Sequence, residues 1–137
     1  IAGLEKIKSG SIKLKDKILG WKKNVESYYK TAKIFILPSL YEGLGNVVID
    51  AVNFNIPVIT TDCKSGPSEI IKKNNGGFVV PVSNSQQMAN KIFYCLKNYK
   101  IALKKANYAK KYILRFSKKK NSEIYLNELA KLLNEKN

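Results

Sequence analysis

Pro38-Ser39-Leu40-Tyr41-Glu42-Gly43-Leu44-Gly45-Asn46-Val47-Val48-Ile49-Asp50-Ala51 is the stretch on which the reading of this chain turns. It follows Ile34–Leu37, a purely apolar run whose shortness and isoleucine content describe a buried strand. Gly43 and Gly45 let the backbone turn and approach a ligand closely. Asn46 is placed to cap a helix over Val47–Asn53. The free N–H groups and positive dipole end of that helix suit a phosphate or diphosphate. Glu42 stands just before this anion site and Asp50 just inside the helix. Helical side chains lean back toward the N-terminus, so the two carboxylates are positioned to flank one bound molecule.

Outward from this stretch, the same alternation recurs. Lys17–Leu19, Val58–Thr61 and Gly77–Val80 are short apolar runs bounded by Gly, Pro, Asn or Asp, and they read as parallel strands covered on both faces. Asn24 suits the N-cap of a helix over Val25–Ala32, where Val25, Tyr28, Tyr29 and Ala32 share a face. Pro67 fits the first position of a helix over Pro67–Lys72, with Glu69 as a favourable first-turn carboxylate rather than a catalytic acid. Ser83 or Asn84 opens a helix whose Met88, Ile92, Phe93 and Leu96 form a core stripe. Helices over Ile101–Arg115 and Lys118–Leu133 follow, the second with Tyr125, Leu129, Leu132 and Leu133 inward. Strand–helix alternation closed by terminal helices predicts a single α/β domain over 1–137: a Rossmann-like doubly wound parallel sheet with extra C-terminal helices. In such sheets ligands bind beyond the carboxyl ends of the strands. The loops Gly20–Asn24, Pro38–Asn46 and Asp62–Pro67 are therefore expected to carry the function.

Composition narrows the classes. The chain has 137 residues, 45% of them hydrophobic and 26% charged, which excludes disordered and disulfide-scaffold classes. No run approaches the roughly 18 apolar residues of a membrane span. With no histidine in the chain, His-based triads and His metal sites are excluded within it. Cys63 and Cys95 form no CxxC pair and read as reduced thiols of a cytoplasmic protein. Cys63 lies in a site loop without a basic partner, which describes an inert thiol.

The formal net charge is +15, and Arg115 is the only cation that is not lysine. Ile70–Ser122 holds thirteen cations and no acid, whereas Glu42, Asp50, Asp62 and Glu69 face only Lys64 between positions 42 and 69. The basic half would suit an anionic membrane surface, and equally a solvated lysine-rich face with no partner. Nucleic-acid readers carry more arginine, or aromatics in a recognised motif, so no nucleic-acid partner is expected. The acidic segment coincides with two of the three candidate loops.

A carboxylate accepts hydrogen bonds from two adjacent hydroxyls, so Glu42 and Asp50 each suit a sugar diol. A diphosphate between two sugar-binding acids describes a nucleotide sugar. The surrounding residues resemble a known family. Glu42 and Asp50 stand in the E-x7-E positions of retaining glycosyltransferases of the GT-B fold, the group often called family 4 or group 1. Asn24 with Tyr28-Tyr29 and Ala32 resembles that family's N…YY..A stretch, Pro38–Gly43 its PSLYEG, and Pro57-Val58-Ile59 its PVI. Asp62-Cys63-Lys64-Ser65-Gly66-Pro67-Ser68-Glu69 resembles its DCxSGPxE. The likeness runs from about Gly20 to Val82.

The resemblance implies a catalytic role for Glu42, contacting hydroxyls of the donor sugar near the reacting carbon. It implies that Gly43, Leu44, Gly45, Asn46 and Val47 hold the diphosphate through backbone N–H groups and that Asp50 holds the ribose. Gly20 and Trp21 would lie near the base, although Trp21 also suits a plain core or rim position. It further implies a UDP-sugar donor, transfer with retention and without a metal ion or other cofactor, and a glycan or lipid-linked glycan acceptor at the cytoplasmic face of a bacterial plasma membrane. The pattern departs from the family in two ways. Asp50 replaces the usual glutamate and is one methylene shorter. The family's diphosphate-neutralising arginine and lysine, and its N-terminal acceptor lobe, would precede Ile1, so a donor-binding fragment inactive alone is expected. Two other readings stay open on the residues themselves: a basic nucleic-acid-binding module indifferent to Glu42, and a Rossmann-like domain that binds without catalysis.

Overall fold

A computed structural model describes residues 24–134 together with two short strands nearer the N-terminus, β1 (Lys13–Leu14) and β2 (Lys17–Ile18). These two pair antiparallel, Lys13 opposite Ile18 and Leu14 opposite Lys17. The expected parallel strand at Lys17–Leu19 is therefore one arm of a hairpin. Only two residues separate β1 from β2, which suits antiparallel closure; a parallel partner needs a crossover of a dozen residues or more.

The elements then run α1 (Glu26–Thr31), β3 (Phe35–Leu37), α2 (Asn46–Asn53), β4 (Val58–Thr61), α3 (Pro67–Ile70), β5 (Phe78–Val80), α4 (Ser85–Lys97), α5 (Tyr99–Tyr112) and α6 (Lys118–Asn134), with 3-10 turns at Lys73–Asn75 and Ile113–Phe116. Strands β3, β4 and β5 form a parallel sheet in that order, with Phe35 opposite Val58 and Ile59 opposite Phe78. β4 is the middle strand and every residue of it is buried, which explains its uninterrupted Val-Ile-Thr-Thr sequence.

Alternate β4 residues enter opposite layers. Val58 joins Phe35, Leu37, Val48, Val52, Ile70 and Ile71 on one side, while Ile59 joins Phe78, Met88 and Cys95 on the other. Both faces are thus covered, the doubly wound α/β arrangement that the strand pattern predicts. α5 serves both layers through small residues, Ala102 in the second and Ala109 in the first. Its close approach is matched by Gly76, where a Cβ would stand 2.7 Å from Ala109 Cβ.

Local chemistry sets the boundaries. Asn24 Oδ1 accepts from Glu26 N at 3.0 Å just ahead of α1. The N-cap residue is Val25, whose carbonyl accepts the first helical bonds, so the helix begins one residue later than expected. Asn84 Oδ1 accepts from Gln87 N at 2.9 Å and caps α4. α2 ends before Asn55, whose φ of 58° reverses the chain ahead of Pro57. Pro67 opens α3 as expected. The helix stops after four residues rather than reaching Lys72, because Lys72 and Lys73 are left-handed at φ 54° and 52°.

Three helix faces differ from the sequence expectation. Around α1, Tyr28 and Tyr29 are half-buried while Val25 and Ala32, which lie just outside the helix, are exposed. In α4, Met88 and Cys95 are buried and Ile92 is half-buried, while Phe93 is 78% exposed and Leu96 is also exposed. The buried line runs 88, 92, 95; one further residue is a rotation of about 100°, which carries Phe93 and Leu96 out of it. In α6 no residue is buried, and Tyr125, Leu129, Leu132 and Leu133 are all exposed. An apolar stripe records what a helix is able to cover, and among the described residues α6 meets the domain at the Ile113–Phe116 turn. Asn121 Nδ2 donates there to Arg115 O at 3.0 Å.

Candidate functional site

The loop leaving β3 enters α2 through Gly45, which has φ 78° and ψ 55° and is the N-cap residue. Its left-handed backbone is one that side chains resist, and a Cβ there would meet Pro67 Cγ at 3.0 Å. Val48 N donates to Gly45 O at 2.8 Å, so the helix begins at Asn46. This corrects the expectation that Asn46 caps the helix: positive φ is required at the cap, glycine supplies it, and Asn46 becomes the first helical residue. No side chain caps this end, and the first amides of a helix have no intrahelical acceptor. The amides of Asn46 and Val47 therefore face the mouth of the loop with the positive end of the helix dipole behind them.

Glu42 is half-buried on the other side of that loop. Its Oε1 accepts from Ser39 Oγ at 2.6 Å, and its main-chain carbonyl accepts from Ser65 Oγ at 2.9 Å. Ser39 O in turn accepts from Thr61 Oγ1 at the end of β4. Gly66, at φ 83°, lies beneath the loop; a Cβ there would stand 1.9 Å from Gly43 O and 2.6 Å from Leu44 O. The segments 38–45 and 62–67 are therefore one packed unit at the carboxyl ends of β3 and β4. The outer side of the unit is open: a Cβ on Gly43 would meet nothing within 4 Å, and Tyr41 and Leu44 are exposed.

Asp50 is exposed one helical turn beyond Asn46. Tyr29 of α1 reaches the same region, its hydroxyl donating to Val47 O at 3.4 Å and its ring stacked on Phe54 at 5.4 Å. Burial, and then the negative charge of Asp50, hold the Tyr29 phenol above the ordinary tyrosine value. Glu42, Gly43, Leu44, Gly45, Asn46, Val47 and Asp50 thus all lie on one loop–helix unit, whereas Gly20 and Trp21 fall outside the described residues. Ser39, Ser65, Gly66 and Tyr29 complete the neighbourhood. Of these, Ser65 and Gly66 were visible only as members of a loop, and nothing in their spacing pairs them with Glu42 across 23 positions.

Two further reactive groups are Glu69 and Cys63. Glu69 starts α3, exposed, and its main-chain carbonyl accepts from Arg115 Nη2 at 2.6 Å. Cys63 is buried, with Sγ 3.8 Å from Ser65 O. Among the described residues no three Cys, Asp or Glu side chains gather as a metal site would require, and no helix is long and apolar enough to cross a membrane.

Residues 5–113 match the family described as Glycosyl transferases group 1. The amylovoran biosynthesis glycosyltransferase AmsD of Erwinia amylovora is 39% identical over 83 residues, 61% of this chain and 23% of that protein. A Campylobacter jejuni alpha-1,4-N-acetyl-D-galactosaminyltransferase, named for a GalNAc-extended diNAcBac-PP-undecaprenol, is 30% identical over 94% of this chain and 35% of its own length. The crystal structure of TarM is similar with a TM-score of 0.70 and 29% identity, covering 80% of this chain and 22% of that one. The chain thus spans about a quarter to a third of the length of these two curated relatives. On the family match, the chain belongs to the group 1 glycosyl transferases.

Proposed function

We propose that this chain is the donor-binding part of a retaining, metal-independent glycosyltransferase that takes a UDP-sugar. The reading is carried by the uncapped start of α2, bracketed by Glu42 and Asp50 at the carboxyl end of a parallel sheet. In this reading the amides from Leu44 to Val47 hold the diphosphate and stabilise it as it leaves. Gly43 gives it a path free of side chains. Glu42 accepts hydroxyls of the sugar near the reacting carbon, and Asp50 accepts the ribose hydroxyls. Asp50 is a methylene short of a glutamate, so its contact is looser or bridged by water. Gly20 and Trp21 are assigned to the base by resemblance.

UDP as the nucleotide carrier has support from a related structure: a mutant of S. aureus TarM in complex with fondaparinux, alpha-GlcNAc-glycerol and UDP is 30% identical, with a TM-score of 0.67 over 74% of this chain and 21% of that one. The acceptor we propose is a growing, lipid-linked surface glycan, after relatives named for undecaprenol-linked and poly(ribitol-phosphate) substrates. Its binding lobe would lie outside these 137 residues. Acting on such an acceptor would bring the enzyme to the cytoplasmic face of the membrane, where the acid-free lysine-rich segment 70–122 would favour anionic lipid.

Calorimetric titration of the chain with UDP, a UDP-hexose and duplex DNA at two salt concentrations tests this. The expected result is UDP and UDP-sugar binding that both depend on Asp50, with the extra affinity for the sugar depending on Glu42, and only weak, steeply salt-dependent DNA association. Tight DNA binding without UDP binding would overturn it.

A further inference from the structure

The Glu42 carboxylate is oriented by a neutral hydroxyl. Ser39 Oγ donates to Oε1 at 2.6 Å, the short range of a hydrogen bond to a charged acceptor. The ion pairs among the described residues are Lys30–Glu26 and Lys131–Glu128, and neither involves Glu42. Both ends of the Ser39–Glu42 contact are also anchored in the main chain. Ser39 O is held by Thr61 Oγ1 and Glu42 O by Ser65 Oγ, so the pair is tied to the end of β4 and to the 62–67 loop.

We infer that Ser39 is a positioning residue: its hydroxyl commits Oε1 of Glu42 to the protein and leaves Oε2 aimed at one hydroxyl of the donor sugar. Ser39 thereby determines how much better a UDP-sugar is held than UDP itself. The inference rests on the sugar-binding role proposed for Glu42. A serine hydroxyl has one proton to give, so it satisfies one carboxylate oxygen and leaves the lone pairs of the other free. Without it, a half-buried glutamate with several rotatable bonds samples other rotamers, and ordering it again on ligand binding carries an entropic cost. That cost falls on sugar recognition and not on the diphosphate amides of α2, which are held separately by Gly45.

The test is the ratio of UDP to UDP-hexose dissociation constants, measured calorimetrically on the chain and on S39A, S39T and E42A. The expected parent ratio is at least about ten, so that a partial loss can be told from a complete one. E42A should bring it to about one. S39A should lower it about three- to tenfold while UDP affinity stays within about twofold, the size expected for losing one hydrogen bond. S39T, which keeps the hydroxyl, should restore it. A parent ratio of one, no UDP binding, or an unchanged ratio in E42A would overturn the role of Glu42 and this inference together. A ratio lost in E42A but kept in S39A would overturn the inference alone. Equal weakening of UDP and UDP-hexose in S39A, or failure of S39T to restore the ratio, would show general loosening of the loop and also overturn it.

Discussion

Gly66 supports Gly43 from below so closely that a methyl group on Gly66 would stand only 1.9 Å from the Gly43 carbonyl oxygen. The two glycines are glycines for different reasons. Gly66 combines a φ of 83° with backbone contact, so G66A forces the Glu42 loop off its bed and imposes a strained conformation. The expected cost is at least about 2 kcal/mol by urea denaturation, with UDP affinity falling as well. Gly43 has open space where its Cβ would be and is absent from the positive-φ positions. G43A should leave stability within about 1 kcal/mol of the parent, yet weaken UDP binding at least tenfold by obstructing the diphosphate. Equal effects of the two substitutions on stability would contradict this division.

Asp50 offers a second separation of structure from binding. It is exposed and makes no ion pair among the described residues, so D50A should leave stability within about 0.5 kcal/mol of the parent. If it holds the ribose, D50A weakens UDP and UDP-sugar alike, and D50E retains both. The same variant has an internal control. Removing the charge takes away one of the two influences raising Tyr29, so the phenol should titrate at lower pH in D50A while burial keeps it raised. Ultraviolet titration reads this directly. A Tyr29 titration unchanged in D50A would mean that the carboxylate does not sit beside the phenol.

Legibility of this chain in its sequence followed the range of the interactions involved. β4 and the loop–helix unit from Pro38 to Asn53 were readable because their signals are local: a β-branched run, two glycines, a helix start. Asn46 misled because asparagine is a good cap on average, and the positive φ that gives the cap to Gly45 is a property of the packed loop. The bonds from Ser65 to Glu42 O and from Thr61 to Ser39 O link positions 22 or 23 apart and leave no periodic trace. Lys17–Ile18 was misassigned because two apolar-edged residues carry no information about partner direction; its neighbour Lys13–Leu14 settles it.

Cys95 gives a pH dependence with a definite sign. Its side chain is fully buried, and burial pushes the thiol from 9.0 up to about 11, against the smaller opposing influence of Lys91 and Lys105. The folded state then holds the thiol proton more tightly than the unfolded state. The contribution is complete below about pH 9 and is lost as pH rises toward 11. Lys105 works the other way, because burial lowers it and the fold disfavours its charged form. The comparison that isolates the thiol is therefore parent minus C95A, whose stability difference should be flat below pH 9 and shrink between pH 9 and 11. A difference that grows over that interval would reverse the assignment. At neutral pH the folded chain should also resist alkylation at Cys95.

The outward turn of Phe93 is the sharpest quantitative test of α4. Met88 and Phe93 both looked like core residues, yet Met88 is 8% exposed and Phe93 is 78% exposed. Met88 packs with Ile59, Phe78 and Cys95 in the layer behind β4, so M88A removes buried methylenes and leaves a cavity. Its expected cost is about 2–4 kcal/mol. F93S removes a larger side chain from a site already in water, and its expected effect is within about 0.5 kcal/mol. Leu96, also exposed, should behave like Phe93, and Ile92, half-buried against the same layer, should fall between the two groups. Urea denaturation of M88A, I92A, F93S and L96S orders the four. A cost for F93S as large as that for M88A would mean that α4 is rotated by about 100° from the position described, and with it the seating of α4 against β4 and β5.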